Sequence, residues 1–258
     1  MSFQFFSFLS GLAYLSLCLL IAASRARKKC LRDAPDFSAP TTPFTVEQTG
    51  QRVAENGRPS SVLLPLSSLI SLSAFLFMPC GTLPSSIPFS GGALIIVGIL
   101  VVAPGFWGGR QGVRRQGAAP FCLGVALAAM AWYARQRGVP GDLTTLDAYV
   151  AMPIVGAAEG TAKFGVCVLA AVSLFVLRKV WPTRQSGKNL LHADTALLTA
   201  LAAELWTLAA IGFWVCLFFP FSFTFDRASG ISVLGGLALN ALFFWAKLSG
   251  LAWLLEKR

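Results

Sequence analysis

Residues 196–221 read ALLTALAAELWTLAAIGFWVCLFFPF and form the longest apolar run of the chain. Its only charged side chain is Glu204. A helix of this length rises roughly 39 Å, and the hydrocarbon core of a bilayer is about 30 Å thick. The stretch therefore predicts a helix that crosses a membrane.

Six further apolar blocks extend this prediction to an all-α, polytopic membrane protein with seven transmembrane helices. The predicted spans are residues 5–23, 62–80, 91–104, 118–134, 161–181, 196–221 and 231–255. The third is short, which leaves a tilted or re-entrant segment open. Residues 143–159 are apolar but contain Pro153, so we interpret them as an amphipathic segment at the membrane surface. The chain 1–258 is thus expected to form one integral membrane domain.

The composition agrees with a membrane protein. Of the 258 residues, 55% are hydrophobic and 12% are charged, whereas about a quarter of the residues of a typical soluble domain are charged. This composition excludes a secreted domain, a DNA-binding module and an outer-membrane barrel. The net charge of +10 could suggest nucleic-acid binding, but the positions of the charges indicate topology instead.

The basic residues predict the orientation. Sixteen of the 21 Lys and Arg residues fall in the first, third and fifth loops and at the C-terminus, and three fall on the opposite side. Because cytoplasmic loops carry the excess of Lys and Arg, this predicts an outward N-terminus and a cytoplasmic C-terminus in the inner membrane. The first apolar block has its charges after it rather than before it, which favours an uncleaved helix over a signal peptide.

No motif of a self-contained active site or metal centre is found. The six cysteines, at positions 18, 30, 80, 122, 167 and 216, show no CxxC spacing, and the chain has one histidine. A G-x-S-x-G, P-loop or HExxH motif is also absent. We therefore expect no catalytic residue, no metal site and no cofactor in this chain.

The first loop, residues 24–61, is the longest and most polar, and it predicts a docking surface. Its basic residues at the membrane end are Arg27, Lys28, Lys29 and Arg32. A cytoplasmic loop of this length commonly has a function such as binding a partner. An unstructured basic loop is the alternative.

Ionisable residues inside spans are costly and usually functional. Glu204 and Lys247 lie on consecutive predicted helices and at similar predicted depth. Our hypothesis is that they form an intramembrane pair or two stations of a polar track for protons or other ions. Asn240, seven residues before Lys247, shares its helix face and would extend the track.

Two more protonatable residues, His192 and Asp194, lie at the predicted cytoplasmic entrance of the sixth span. A histidine beside an acid could transfer protons near neutral pH. Capping of the helix start is the alternative role for Asp194. Glu159 and Lys163 are spaced i, i+4 and are expected to form a local pair at the interface.

Five stretches of the chain follow one another in the order that is typical of a known membrane-protein family. They are SRARKKCLRDAPDFSAPTTPF (24–44), LISLSAFLFMPCG (69–81), FWGGRQGVRRQGAAP (106–120), VCLFFPF (215–221) and FFWAKLSGLAWLLEKR (243–258). In this order they resemble the quinone-chamber membrane subunit of respiratory complex I, an NADH-quinone oxidoreductase, and its homologues in membrane-bound hydrogenases of the formate hydrogenlyase type. The family's Pro-Phe-Asp element and its last helix are missing here, while His192 and Asp194 match the spacing of its Thr-His-Leu-Glu element.

This resemblance implies a subunit of a redox-driven, ion-translocating complex. The first cytoplasmic loop would dock a hydrophilic redox arm. The chain would pass charge or a conformational change to neighbouring antiporter-like membrane subunits. Electron chemistry and iron–sulfur clusters would belong to the partners, and the chain would catalyse nothing alone. The alternative is a stand-alone small transporter or a structural membrane scaffold. The sequence shows no internal repeat of the kind that many transporters have.

Overall fold

The computed structural model describes residues 15–28, 63–79, 87, 89–138, 141–151, 160–180, 193–221 and 230–256, and every regular element in these ranges is helical. We number the α-helices in chain order. They are α1 (15–28), α2 (Leu63–Ser73), α3 (Gly92–Gln116), α4 (Ala118–Gln136), α5 (Leu146–Ala151), α6 (Gly160–Val180), α7 (Ala193–Phe218) and α8 (Gly230–Glu256). A 3₁₀ turn, Ala74–Phe77, continues α2.

The prediction of an all-helical fold is confirmed for the described residues, and their apolar helices agree with a membrane protein. Four helical segments are long and apolar enough to cross a membrane, namely Ala118–Gln136, Gly160–Val180, Leu197–Phe218 and Ala238–Glu256. Leu63–Phe77 and Gly92–Phe106 are shorter apolar helices. Part of the first predicted span, residues 5–14, lies outside the described residues. The count of seven spans and the orientation stay predictions.

Helix α7 forms the centre of the described bundle. Of its most apolar stretch, 83% is buried inside the protein, against 17% for α6. The main contacts of α7 are with α2, α3 and α8. Helix α2 contributes the buried serines Ser67, Ser68 and Ser71. Small residues of this kind allow membrane helices to approach closely, which explains why a polar stripe occurs in an apolar helix.

Helix α7 packs tightly against the turn that follows α2 at Gly212. A Cβ atom at this position would lie 3.0 Å from the Met78 sulfur and 3.5 Å from a ring carbon of Phe75. A side chain at this position would therefore have to displace the Met78 side chain, and a large one would overpack the contact between α7 and the turn that follows α2.

Replacing Gly212 by leucine is expected to lower the free energy of unfolding by about 1–3 kcal/mol, since overpacking forces neighbouring side chains from their preferred positions. Thermal unfolding in detergent would measure the loss. The matched control is Gly165→Leu on α6, where an added Cβ meets no atom within 4 Å. Equal loss from both substitutions would contradict the close contact at Gly212.

Helix α3 continues through Pro104, the residue at which the predicted third span ends. A proline has no N–H, so Pro104 leaves the carbonyl of Leu100 without its helical donor. The indole nitrogen of Trp206, on α7, donates to that carbonyl at 2.8 Å. The Ser67 hydroxyl donates to another carbonyl in this region, that of Ala103, at 3.2 Å. The helix tolerates the proline because Trp206 supplies the donor that the carbonyl of Leu100 lacks.

The amphipathic segment predicted to lie at the membrane surface, residues 143–159, is described as far as residue 151. It contains the short helix α5, in which Leu146 and Tyr149 are buried in the core. The Tyr149 hydroxyl donates to the carbonyl of Leu143 at 2.9 Å. This part is thus attached to the bundle by its apolar side, and residues 152–159, including Pro153, lie outside the described residues.

The loop before α5 caps the start of α3. The Gly91 N–H donates to the Thr144 hydroxyl at 2.8 Å, and the Ala93 N–H donates to the Thr144 carbonyl at 3.0 Å. Asp142 fixes this loop by accepting from the Ser90 hydroxyl and from the Thr144 N–H and hydroxyl. Gly91 has φ +89°, a left-handed conformation that favours glycine.

These hydrogen bonds, first of all the one from Ser90, hold the pKa of Asp142 below its ordinary value. A depressed pKa means that the stabilisation is present above the unfolded pKa of about 3.9 and is lost as the pH falls through the folded value. We expect Asp142→Asn to lower the melting temperature at neutral pH and to have a smaller effect at about pH 3. The Ser90→Ala variant should raise the pH at which this stabilisation is lost. An effect of Asp142→Asn that is the same at both pH values would contradict the assignment.

Candidate functional site

The most unusual feature of the bundle is an ionic cluster of three residues from three helices, which we call the ion triad: Arg25, Glu204 and Glu256. The Arg25 Nε lies 2.8 Å from a carboxylate oxygen of Glu204. The Nη2 of the same guanidinium lies 3.1 Å from a carboxylate oxygen of Glu256. Arg25 therefore bridges α7 and α8 from the end of α1.

Burial differs strongly within the ion triad. The side chain of Glu204 is 2% exposed, that of Arg25 is 19% exposed and that of Glu256 is 41% exposed. Glu204 is seven residues beyond Leu197, where the apolar stretch of α7 begins, and this places its Cα roughly 10 Å inside that stretch. A carboxylate at this depth needs a hydrogen-bonded cation, because an isolated buried charge costs several kcal/mol or more.

The local sequence of α1 explains how Arg25 reaches this position. Cys18, Ala22 and Ala26 are buried to 1% or less and form the face of α1 that packs on the bundle. Arg25 follows Ala22 by three residues and Cys18 by seven, so it lies at the edge of the same face. The small side chains let α1 approach closely, and the guanidinium can then bind two carboxylates with separate N–H groups.

Lys247 lies at the other end of α7. Its ammonium donates to the backbone carbonyl of Phe219 at 3.0 Å and to that of Phe221. It also lies over the rings of Phe219 and Phe243, with 5.1 Å and 4.4 Å to the ring centroids. These two carbonyls belong to residues just after the end of α7, so the ammonium attaches α8 to the segment that follows α7.

The predicted pairing of Glu204 with Lys247 is therefore wrong, and so is the prediction that the two residues lie at similar depth in the membrane. Phe219 is fifteen residues after Glu204, which corresponds to roughly 22 Å along α7. Side chains of a helix point toward its own N-terminus. Because α7 and α8 run in opposite directions, the side chains of Glu204 and Lys247 point away from each other. The other part of the hypothesis, two stations of one polar track, stays a prediction.

Asn240 is buried, with 3% exposure, and lines a small cleft together with Lys247. The cleft lies between Pro79, the end of α7 and the middle of α8, and it has room for about one water molecule. The structure thus brings Asn240 and Lys247 together, as their spacing predicted, but at a distance from the ion triad.

Buried hydroxyl groups occupy the region of α2 and α7 beyond Glu204. Thr207, one turn after Glu204, is 2% exposed, and its hydroxyl donates to the Ala203 carbonyl at 2.8 Å. The Ser71 hydroxyl is fully buried and has no hydrogen-bond partner among the described residues. These residues were not predicted from the sequence, although serines spaced i, i+4 in the apolar helix α2 were a visible signal.

The remaining predicted site residues are only partly described. Arg27 and Lys28 are exposed at the end of α1, and Lys163 is exposed on α6. Asp194 is in the first turn of α7, but its side chain lies outside the described part. The predictions for His192, Lys29, Arg32 and Glu159 fall outside the described residues. Arg25 and Glu256 were not predicted as site residues, because Arg25 was counted only as a loop charge.

The described residues thus form an all-helical bundle with four helices long and apolar enough to cross a membrane and with an ion pair buried among them. Comparison with known proteins does not narrow this description, since no protein-family model and no curated protein matches the sequence.

Proposed function

We propose that this chain is a non-catalytic membrane subunit of a multi-subunit, redox-driven, ion-translocating complex of the complex I or membrane-bound hydrogenase type. It would have seven transmembrane helices, an outward N-terminus and a cytoplasmic C-terminus in the inner membrane. Its roles would be to anchor a hydrophilic electron-transfer arm and to relay charge to antiporter-like membrane subunits. Iron–sulfur clusters would be held by the partners.

The observation that carries this proposal is the buried ion pair between Glu204 and Arg25. Intramembrane ionisable residues are costly, and they commonly mark ion pathways or proton relays. Glu204 is the acidic member of such a pair, and Arg25 is its cation. The exposed side of the ion triad at Glu256 would connect Glu204 with the aqueous side. The buried hydroxyls of Ser71 and Thr207 would continue the track toward Asn240 and Lys247.

The basic end of α1 supports the anchoring role. Arg27 and Lys28 are exposed, and Lys29 and Arg32 follow them in the sequence. Arg27 and Lys28 thus place positive charge at the end of α1, the helix that also carries Arg25 of the ion triad. A hydrophilic partner with an acidic surface would bind at this end, and its binding would act on Arg25 through the same short helix.

A structural scaffold is the second candidate, because the ion triad also connects α1, α7 and α8 mechanically. A scaffold needs these charges for stability but not for ion movement. The two candidates therefore differ in what a charge-neutral variant of Glu204 does to an assembled complex.

The proposal is tested by gentle detergent purification of the tagged chain and mass spectrometry of the proteins that accompany it. We expect iron–sulfur or hydrogenase-like proteins and antiporter-like membrane subunits in stoichiometric amounts. The double variant Arg27→Glu with Lys28→Glu should lose the hydrophilic proteins and keep the membrane subunits. Lys163→Glu, at the other end of the predicted membrane region, is the control. Purification of the chain alone as a monodisperse particle would contradict the proposal.

A further inference from the structure

Helix α6 presents a continuous apolar stripe to the outside of the bundle. Its members are Phe164, Val168, Val172 and Phe175, which are 73%, 43%, 48% and 58% exposed. Their spacing of four, four and three residues places them on one face of the helix. The opposite face is attached to the bundle through Ser173, whose hydroxyl accepts a hydrogen bond from the Trp214 indole at 3.0 Å.

A cation lies at one end of this stripe. Lys179 follows Phe175 by four residues on the same face and is in the last turn of α6. Its ammonium lies over the Phe175 ring, 5.4 Å from the centroid. Within the described part of the chain, Lys179 forms no ion pair with a carboxylate. Its positive charge is thus exposed where the apolar stripe ends.

We propose that the α6 stripe binds an anionic phospholipid, with the lipid phosphate at Lys179 and an acyl chain along Phe175, Val172 and Val168. The dimensions agree with this occupant. From Val168 to Lys179 the helix rises roughly 16 Å, and one half of the hydrocarbon core is about 15 Å thick. The site binds the lipid of the leaflet at the Lys179 end, and it is independent of the proposed role in a redox complex.

The charge at Lys179 selects the lipid headgroup. A phosphatidylglycerol headgroup has a net negative charge, and an ammonium near the membrane surface attracts it. A zwitterionic phosphatidylcholine headgroup carries its own cation, so Lys179 attracts it less. The Phe175 ring under the ammonium fixes the lysine against the helix, which keeps the charge above the acyl-chain path.

The experiment is native mass spectrometry of the full chain released from nanodiscs that contain phosphatidylcholine and phosphatidylglycerol. Wild type should retain phosphatidylglycerol preferentially, and Lys179→Gln should lower the retained ratio of phosphatidylglycerol to phosphatidylcholine roughly fivefold. Lys163→Gln, at the other end of α6, should leave the ratio unchanged, and Lys179→Arg should preserve it. These controls separate loss of a lipid site from loss of folding.

A photo-crosslinking residue at Val172 gives a second readout in native membranes. A covalent lipid adduct is the expected product. A protein adduct would show that another membrane subunit covers the stripe and would overturn the proposal. An unchanged lipid ratio for Lys179→Gln would overturn it as well.

Discussion

Replacing Arg25 by methionine is expected to lower the free energy of unfolding by about 3–5 kcal/mol, which is the typical cost of removing one partner of a buried ion pair. The reason is the burial of Glu204, whose side chain is 2% exposed. Methionine preserves the length and much of the volume of the arginine stem, so the loss reports mainly on the charge. Unfolding in mixed detergent micelles, followed by the change in helical content, would measure it.

Two controls separate the ion pair from the rest of the ion triad. Glu256→Gln should cost about 0–1 kcal/mol, because its carboxylate is exposed and surface pairs contribute little. Arg27→Met, two residues along α1 on an exposed position, should have little effect. Glu204→Gln should restore much of the stability lost in Arg25→Met, because it removes the unpaired charge. A double-mutant cycle without coupling between Arg25 and Glu204 would contradict the pairing.

Replacing Trp206 by phenylalanine is the substitution with the second largest expected effect, a loss of about 1–3 kcal/mol from the unpaired carbonyl alone. The indole of Trp206 is 2% exposed and donates to the carbonyl that Pro104 leaves without a donor. Phenylalanine keeps an aromatic ring but has no N–H. The carbonyl of Leu100 then stays buried without this hydrogen bond.

The same contact predicts that a second substitution restores part of the stability lost in Trp206→Phe. Pro104→Ala returns a backbone N–H to α3, and that N–H can donate to the Leu100 carbonyl. The double variant should therefore be more stable than Trp206→Phe alone. Trp214→Phe is the matched control, because it also replaces an indole N–H donor by a phenyl ring. The Trp214 indole shares its hydrogen bond between the Ser173 hydroxyl and the carbonyl of Ala170. If Pro104→Ala fails to stabilise Trp206→Phe, the carbonyl of Leu100 is not the origin of the loss.

The class of the fold follows from the sequence because bilayer thickness imposes a length on apolar helices. The boundaries within that class depend on tertiary contacts. Pro104 was expected to end a span, and a proline in an isolated helix does disrupt it. Here Trp206, about a hundred residues later, supplies the missing donor, and no local pattern around Pro104 reveals this.

The candidate site could be predicted only in part, because its pairing also depends on tertiary contacts. Glu204 is conspicuous as a lone acid in an apolar helix, but its partner is not fixed by that helix. Lys247 was the nearest cation on a neighbouring span, and depth counted along the backbone favoured it. The direction of the side chains excludes this pairing, because the Lys247 ammonium extends toward the C-terminal end of α7 and away from Glu204. Arg25 is at the end of its helix, where basic residues are common, so it gave no distinct signal.

The most direct test of the proposed function is ion movement by the assembled complex that carries Glu204→Gln. The quantity to measure is the number of ions moved per electron transferred in sealed vesicles, together with the subunit composition of the purified complex. We expect Glu204→Gln to preserve assembly and to reduce coupled ion movement strongly, while Lys163→Gln, at an exposed position outside the polar track, keeps both. Unchanged assembly together with unchanged ion movement in Glu204→Gln would contradict the polar track and leave the ion triad a purely structural role.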